Sequence, residues 1–316
     1  MNQLRLISLA IILIASIGCE NLKTRSQLPK NKEPLPPTNE VQMPEELEEP
    51  VEVKTREVPK IGIIFGPGSV RALAHSGVVD AFQAEKVPIH AIVGIGWGAL
   101  VGGYYASEGN VTKVQWQLSK LKKGDLVDKA LISGKTERQP VLPFIKKVVP
   151  SDVRKKSLEN FTVPFACPTV SYLVGTSVFK DSGSFEDALE QCLPAPPAFA
   201  PKGVWFADLN AIEESIRYLK QTGANIIVYV NVLQGGDLFS RNEIKEEPEL
   251  AMYWLQVRRS HEALASLRGK YPELRELNVS ASRQGLLEVG NLRLLPLAGK
   301  RAGAKMISML KQEFGF

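Results

Sequence analysis

Cysteine and histidine are scarce in this chain, with only three of each among 316 residues. Three cysteines cannot build a disulfide framework. His75, His90 and His261 are scattered without the spacing of metal ligands, so neither a metal site nor a cofactor is expected. A dominant charge is also missing: 39 basic against 34 acidic side chains give a formal net charge of +5. That balance is no polyanion-binding signal, and no nucleic-acid partner is expected. No apolar stretch reaches the roughly 20 residues that a comfortable transmembrane helix needs. What remains, 44% hydrophobic and 23% charged residues, is enough to bury a sizeable core.

The longest apolar run, Leu6 to Ile17, follows Arg5 and ends on Gly18 and Cys19. A basic start, a short apolar stretch and a small residue before cysteine are the plan of a secretion signal cleaved at a lipidated cysteine. Residues 1–19 are therefore expected to be a lipoprotein-type signal peptide with Cys19 the acylated residue, although Ser16 stands where leucine is usual. The expected location is the bacterial cell envelope, on its periplasmic or surface face, with membrane lipid as the partner of the anchor. Residues 20–59 carry seven prolines, nine acidic and six basic side chains and no apolar periodicity, which reads as a solvated tether. Residues 60–316 form the folded domain. Within it Cys167 and Cys192 lie in apolar or small-residue contexts; buried free thiols are expected there, with a bridge between them the lesser alternative.

From Lys60 the pattern alternates between short β-rich runs and segments of helical period: KIGIIFGPG, RALAHSGVVDAFQAEK, HAIVGIGWG, ALVGGYYASEG. A helix from Ile212 to Thr222 leads into a strand, ANIIVYVNVL, at 224–233. This order predicts an α/β fold whose helices cover a largely parallel sheet. Further on, 248–270 and 300–313 read as helices and 289–296 as a final short strand.

Two glycine turns stand between a strand and a helix. The first, FGPGSVRA at 65–72, can converge backbone N–H groups on an anion, and it lacks the lysine of a nucleotide-binding loop. The second, Gly94-Ile95-Gly96-Trp97-Gly98, stands where a nucleophile elbow of the form G-x-S-x-G belongs. Here the middle residue is glycine.

Taken in order, these segments resemble the patatin-like phospholipases. The glycine loop with Arg71, the stretch His75-Ser76-Gly77-Val78, VPIHAIVG before the elbow, Pro196, Phe199 and Pro201 after a helix, and VWFADLNAIEESIRYLKQTGANIIVYVNV all have counterparts in that family, from about Lys60 to Leu233. The resemblance implies a three-layer α/β/α fold and a serine–aspartate dyad. It implies an oxyanion loop of Gly66, Gly68, Ser69 and Arg71, the nucleophile position at Gly96 and the aspartate position at Asp208. Three departures follow: Gly96 has no hydroxyl, Pro67 offers no N–H inside the loop, and Leu209 and Asn210 replace the two glycines that follow the aspartate in the family. Asp208 could instead cap the helix from Ile212, and a register slip of one residue would put Ala207 in its place.

Without a side chain at Gly96 the covalent acyl-enzyme route is closed. The expectation is a catalytically inactive patatin-like domain, with acyl lipid or an envelope protein as its ligand. Two rivals stand beside it. One is an active acyl hydrolase that uses Ser69, Ser76 or a water. The other is a structural lipoprotein whose cleft is filled by residues such as Trp97. Arg71 is expected to order its loop or to bind phosphate, with a structural salt bridge to a helix carboxylate as the separate alternative.

Overall fold

The structure is a computed structural model that describes residues 59–129, 136–138, 140–195, 199–234, 245, 249–281 and 284–316. The chain divides into two units, Met1–Thr55 and Arg56–Phe316. Every described residue belongs to the second, so the signal peptide, Cys19 and nearly all of the tether lie outside the described residues, as does Pro196.

In chain order the elements are β1 (Ile61–Phe65), a 3-10 turn (Ser69–Leu73), α1 (Ala74–Ala84), β2 (Ile89–Gly94), α2 (Trp97–Glu108) and α3 (Val111–Leu118). Then come a small ribbon of β3 (Val127–Lys129) and β4 (Thr136–Arg138), α4 (Val141–Val148), α5 (Ser151–Arg154), β5 (Phe165–Ser171), β6 (Ser177–Lys180) and α6 (Phe185–Cys192). The chain continues through β7 (Trp205–Ala207), α7 (Ile212–Gln221), β8 (Ile226–Asn231), α8 (Glu249–Lys270), β9 (Leu274–Asn278) and α9 (Leu294–Phe314).

The main sheet runs β6-β5-β2-β1-β8-β9, with β7 also paired to β5. All pairs from β5 to β9 along that path are parallel, and only β6 and β7 run against β5. Parallel strands buried on both faces must be apolar throughout. Accordingly every residue of β1 and β8 is buried. Alternate side chains serve two separate cores, as the two-residue period of a strand demands. Ile61, Ile63, Phe65, Ile92 and Val228 face a core shared with α1, α2, α6 and α9. Ile64, Val93, Ile227 and Tyr229 face a core shared with α7 and α8. The expected three-layer α/β/α architecture is therefore present.

Two expectations need correction. The expected strand at 289–296 is a turn followed by the start of α9, and the strand after β8 is β9 instead. Asn291 sits at φ 51, a turn conformation, and Pro296 falls in the first turn of α9, where an N–H has no intrahelical partner to lose. The second correction concerns the cysteines. Cys167 on β5 and Cys192 at the end of α6 are joined by a disulfide across a Cα–Cα distance of 6.0 Å, where free thiols were expected. Helix α6 packs on β5, which brings the two residues into bridging range.

Candidate functional site

The elbow is built from close backbone approaches. Strand β2 ends at Gly94, and α2 begins at Trp97 with Gly96 as its N-cap at φ 55, ψ −121. That conformation is one L side chains rarely adopt and glycine adopts freely. The turn is clamped onto the end of β1, with Ile95 N donating to Phe65 O at 2.9 Å and Gly98 N to Ile95 O at 2.9 Å. A side chain at Gly98 would begin 2.1 Å from Phe65 O, and one at Gly94 would begin 2.3 Å from the Ala99 Cα. Helix α2 can approach the sheet this closely only with glycine at both places.

At Gly96 the surroundings differ. Its missing Cβ would meet the Leu209 Cδ2 at 3.1 Å and the Pro67 Cβ at 3.9 Å, with no other neighbour inside 4 Å among the described residues apart from the flanking ones and the backbone of α2 itself. So the elbow, the first glycine loop and the Asp208 segment do converge. Among the described residues, the group nearest the point where a side chain would start is the methyl end of the buried Leu209.

The Asp208 turn follows β7, whose pairing Ser171↔Trp205, Val170↔Phe206 and Thr169↔Ala207 fixes its register. The Asp208 carboxylate accepts from the Ser177 hydroxyl on β6 and from the Asn210 N–H at 3.1 Å. The Asn210 side chain in turn accepts from Ser260 Oγ on α8 at 2.6 Å. Ser177 carried no sequence signal, because its partner is set by strand pairing alone. Leu209 was visible as a departure from glycine, but only the packing shows what it covers.

In the first loop, Gly66 N donates to Val230 O at 3.1 Å and Pro67 has no N–H, so neither supplies a free donor at the loop. A Cβ on Gly68 would strike Val232 at 2.3 Å. Ser69 lies at φ 45 and is buried, and among the described residues its Oγ has no hydrogen-bond partner. Strain and an unsatisfied hydroxyl at one residue are a known mark of functional loops. Ser76 does not join the site. Its Oγ donates to Leu73 O at 2.7 Å and the residue lines a groove of about 400 Å³ between α1, α3 and the start of α9.

Arg71 is fully buried. Its Nε donates to Gln284 O at 2.6 Å, tying the loop to the segment before α9, and Tyr253 on α8 lies near enough to interact with the guanidinium. Burial lowers its pKa, and the Tyr253 contact opposes that shift. Of the expectations for Arg71, loop ordering fits this placement; a side chain without exposed surface presents nothing to a phosphate in solvent. His75 is buried against Phe65, ring centroids 4.8 Å apart. Burial depresses its pKa to about 4, so the ring is neutral at pH 7 and its Nε2 donates to Gly66 O at 2.8 Å. Trp97 is buried with Phe144 and Phe199, at 5.2 and 6.3 Å between centroids.

No family model matches the chain. It is 24% identical over 208 residues to lysophospholipase NTE1 of Scheffersomyces stipitis, covering 63% of this chain and 13% of that protein. It is 25% identical over 149 residues to an uncharacterised NTE family protein of Mycobacterium tuberculosis, covering 46% and 40% respectively. The chain thus spans less than half the length of these curated relatives. Among solved structures, VipD from Legionella pneumophila aligns at TM-score 0.44 and 9% identity over 81% of this chain and 67% of that one. The type III effector ExoU aligns at 0.43 and 10%, over 80% and 53%. The chain is thus similar to patatin-like lysophospholipases and NTE family proteins, and its curated relatives include lipid hydrolases.

Proposed function

We propose that this protein is a patatin-fold lipoprotein of the bacterial envelope that does not hydrolyse acyl esters through a covalent intermediate, and that its surviving role is contact with membrane lipid. The observation that carries this reading is the 3.1 Å approach of Leu209 to the empty Cβ position of Gly96. A side chain there would need the Leu209 methyl to give by a few tenths of an ångström, so an apolar group stands against the position from which a nucleophile would project. Envelope localisation is supported by the sequence of residues 1–19 and by the Cys167–Cys192 bridge, since disulfides persist in oxidising compartments and are rare in the cytosol.

The test is esterase activity of the full chain on p-nitrophenyl butyrate and on a lysophospholipid. The parent is expected to match buffer. Gly96→Ser alone is expected to gain little, because the Leu209 methyl stands against the new side chain, whereas Gly96→Ser with Leu209→Gly gains a rate that Asp208→Asn then removes. Parent turnover well above buffer would sink the reading.

A second reading, hydrolysis with Ser69 as replacement nucleophile, is favoured by the buried, unpartnered Ser69 Oγ. It requires parent turnover that Ser69→Ala abolishes. Against it, no Ser69 atom lies within 4 Å of the point where a Gly96 side chain would start.

A further inference from the structure

We propose that the hairpin tip Tyr172-Leu173-Val174, between β5 and β6, inserts into the bilayer surface and seats the Gly96–Asp208 edge of the sheet on the membrane. This rests on the envelope-lipoprotein reading above and names the surface that edge would face.

Three consecutive large apolar residues at the tip are 65%, 72% and 65% exposed. Turns ordinarily carry glycine, asparagine, aspartate, serine or proline, which tolerate solvent and turn geometry. Here the turn is nevertheless well formed. Leu173 N donates to Ser171 Oγ at 3.2 Å, and Val174 N and Gly175 N donate to Ser171 O at 3.1 and 2.8 Å. Tyr172 N is further tied to Val204 O at 3.2 Å, just before β7. The side chains therefore project from a fixed backbone, and no intramolecular need explains their exposure.

The tip is physically continuous with the candidate site. Two residues after Gly175, the Ser177 hydroxyl holds the Asp208 carboxylate, and β5 runs parallel to β2, so its end at Ser171 lies on the same edge of the sheet as the elbow. Trp205, paired with Ser171, carries Lys180 5.2 Å over its ring. A tyrosine at the tip, with a tryptophan and a lysine behind it, matches the ordering of side chains at a membrane interface, where apolar groups enter the hydrocarbon and amphipathic rings and cations lie among headgroups.

The test uses the full chain reconstituted into phosphatidylethanolamine–phosphatidylglycerol vesicles, with an NBD fluorophore on Leu173→Cys or, as control, on Met309→Cys, an exposed position on α9. The parent without an added cysteine is labelled in parallel and subtracted. NBD emission at 173 is expected to rise severalfold, shift to the blue and be quenched by lipids carrying nitroxides in their acyl chains, with no such change at 309. Vesicle flotation reads the anchor separately. If the protein fails to float, the lipoprotein reading fails. If it floats and position 173 behaves like 309, the tip proposal alone is overturned. A signal at 173 that follows protein density and not lipid quencher assigns the tip to contact between copies, which also overturns it.

Discussion

The elbow and the Asp208 turn meet at Leu209 but are held by different means. The elbow is fixed by main chain against main chain, with Gly94 and Gly98 leaving no room for even a methyl group. The Asp208 turn is fixed by side chains, through Ser177, Asn210 and Ser260. Backbone contacts belong to the fold and cannot be exchanged one residue at a time, whereas side-chain contacts can. Gly96 lies inside the first region yet behaves like the second, since what it meets is the movable end of Leu209. This explains how the shape of a hydrolase elbow persists around a position that carries no nucleophile.

The largest effect expected from breaking this contrast comes from Gly98→Ala. Its Cβ would begin 2.1 Å from Phe65 O, so α2 must lift from β1 and the loss should exceed about 4 kcal/mol, the range reserved for severe packing damage. Urea denaturation monitored by circular dichroism will show whether the variant folds at all. On the side-chain-built half, opening the Cys167–Cys192 bridge releases a loop of 25 residues, for which the chain-entropy model gives about 3 kcal/mol. A lowered urea midpoint for the Cys167→Ala/Cys192→Ala variant checks it.

His75 gives a pH test of the backbone-built half. Its pKa is depressed to about 4 by burial, below the ordinary 6.5, so the unfolded chain takes up the proton first. Its contribution is complete above pH 6.5 and is lost as the pH falls toward 4, about 3 kcal/mol in all. Urea midpoints at pH 7 and pH 4.5 should differ less in His75→Gln, which keeps a donor for Gly66 O. The smallest effect is expected at Gly96→Ala. There the cost is a side chain at φ 55 and a small shift of Leu209, about 1–2 kcal/mol. If Gly96→Ala proved as damaging as Gly98→Ala, the distinction between the two glycines would fail.

Much of the layered fold was legible because buried parallel strands and their covering helices have unmistakable periods. The helix from Ile212 and the strand around Ile226–Asn231 fall where the pattern puts them. Strand β9 was missed because Leu274-Arg275-Glu276-Leu277-Asn278 is an edge strand with only Leu274 and Leu277 buried, so its alternation is broken. The start of α9 was misread for the opposite reason, since a proline in a first helical turn looks locally like a terminator. At the candidate site, Gly96, Pro67 and Asp208 could be picked out from motif order. Leu209 as the group covering Gly96, Ser177 as the partner of Asp208 and the aromatic trio around Trp97 arise from contacts between distant segments, and no local pattern encodes them.

The seam between α1 and α9 has a kinetic consequence. A Cβ on Gly77 would lie 1.8 Å from Pro296 O, and one on Gly299 would lie 1.9 Å from Ala74 O, so the helix that follows the first glycine loop is seated directly on the backbone of α9. Roughly 220 residues of chain separate the two surfaces, and contacts of such span slow folding because the intervening loop must close before they reward it. The helix carrying His75 therefore finds its final seat late. A newly made chain thus passes through an interval in which the first glycine loop lacks its backing.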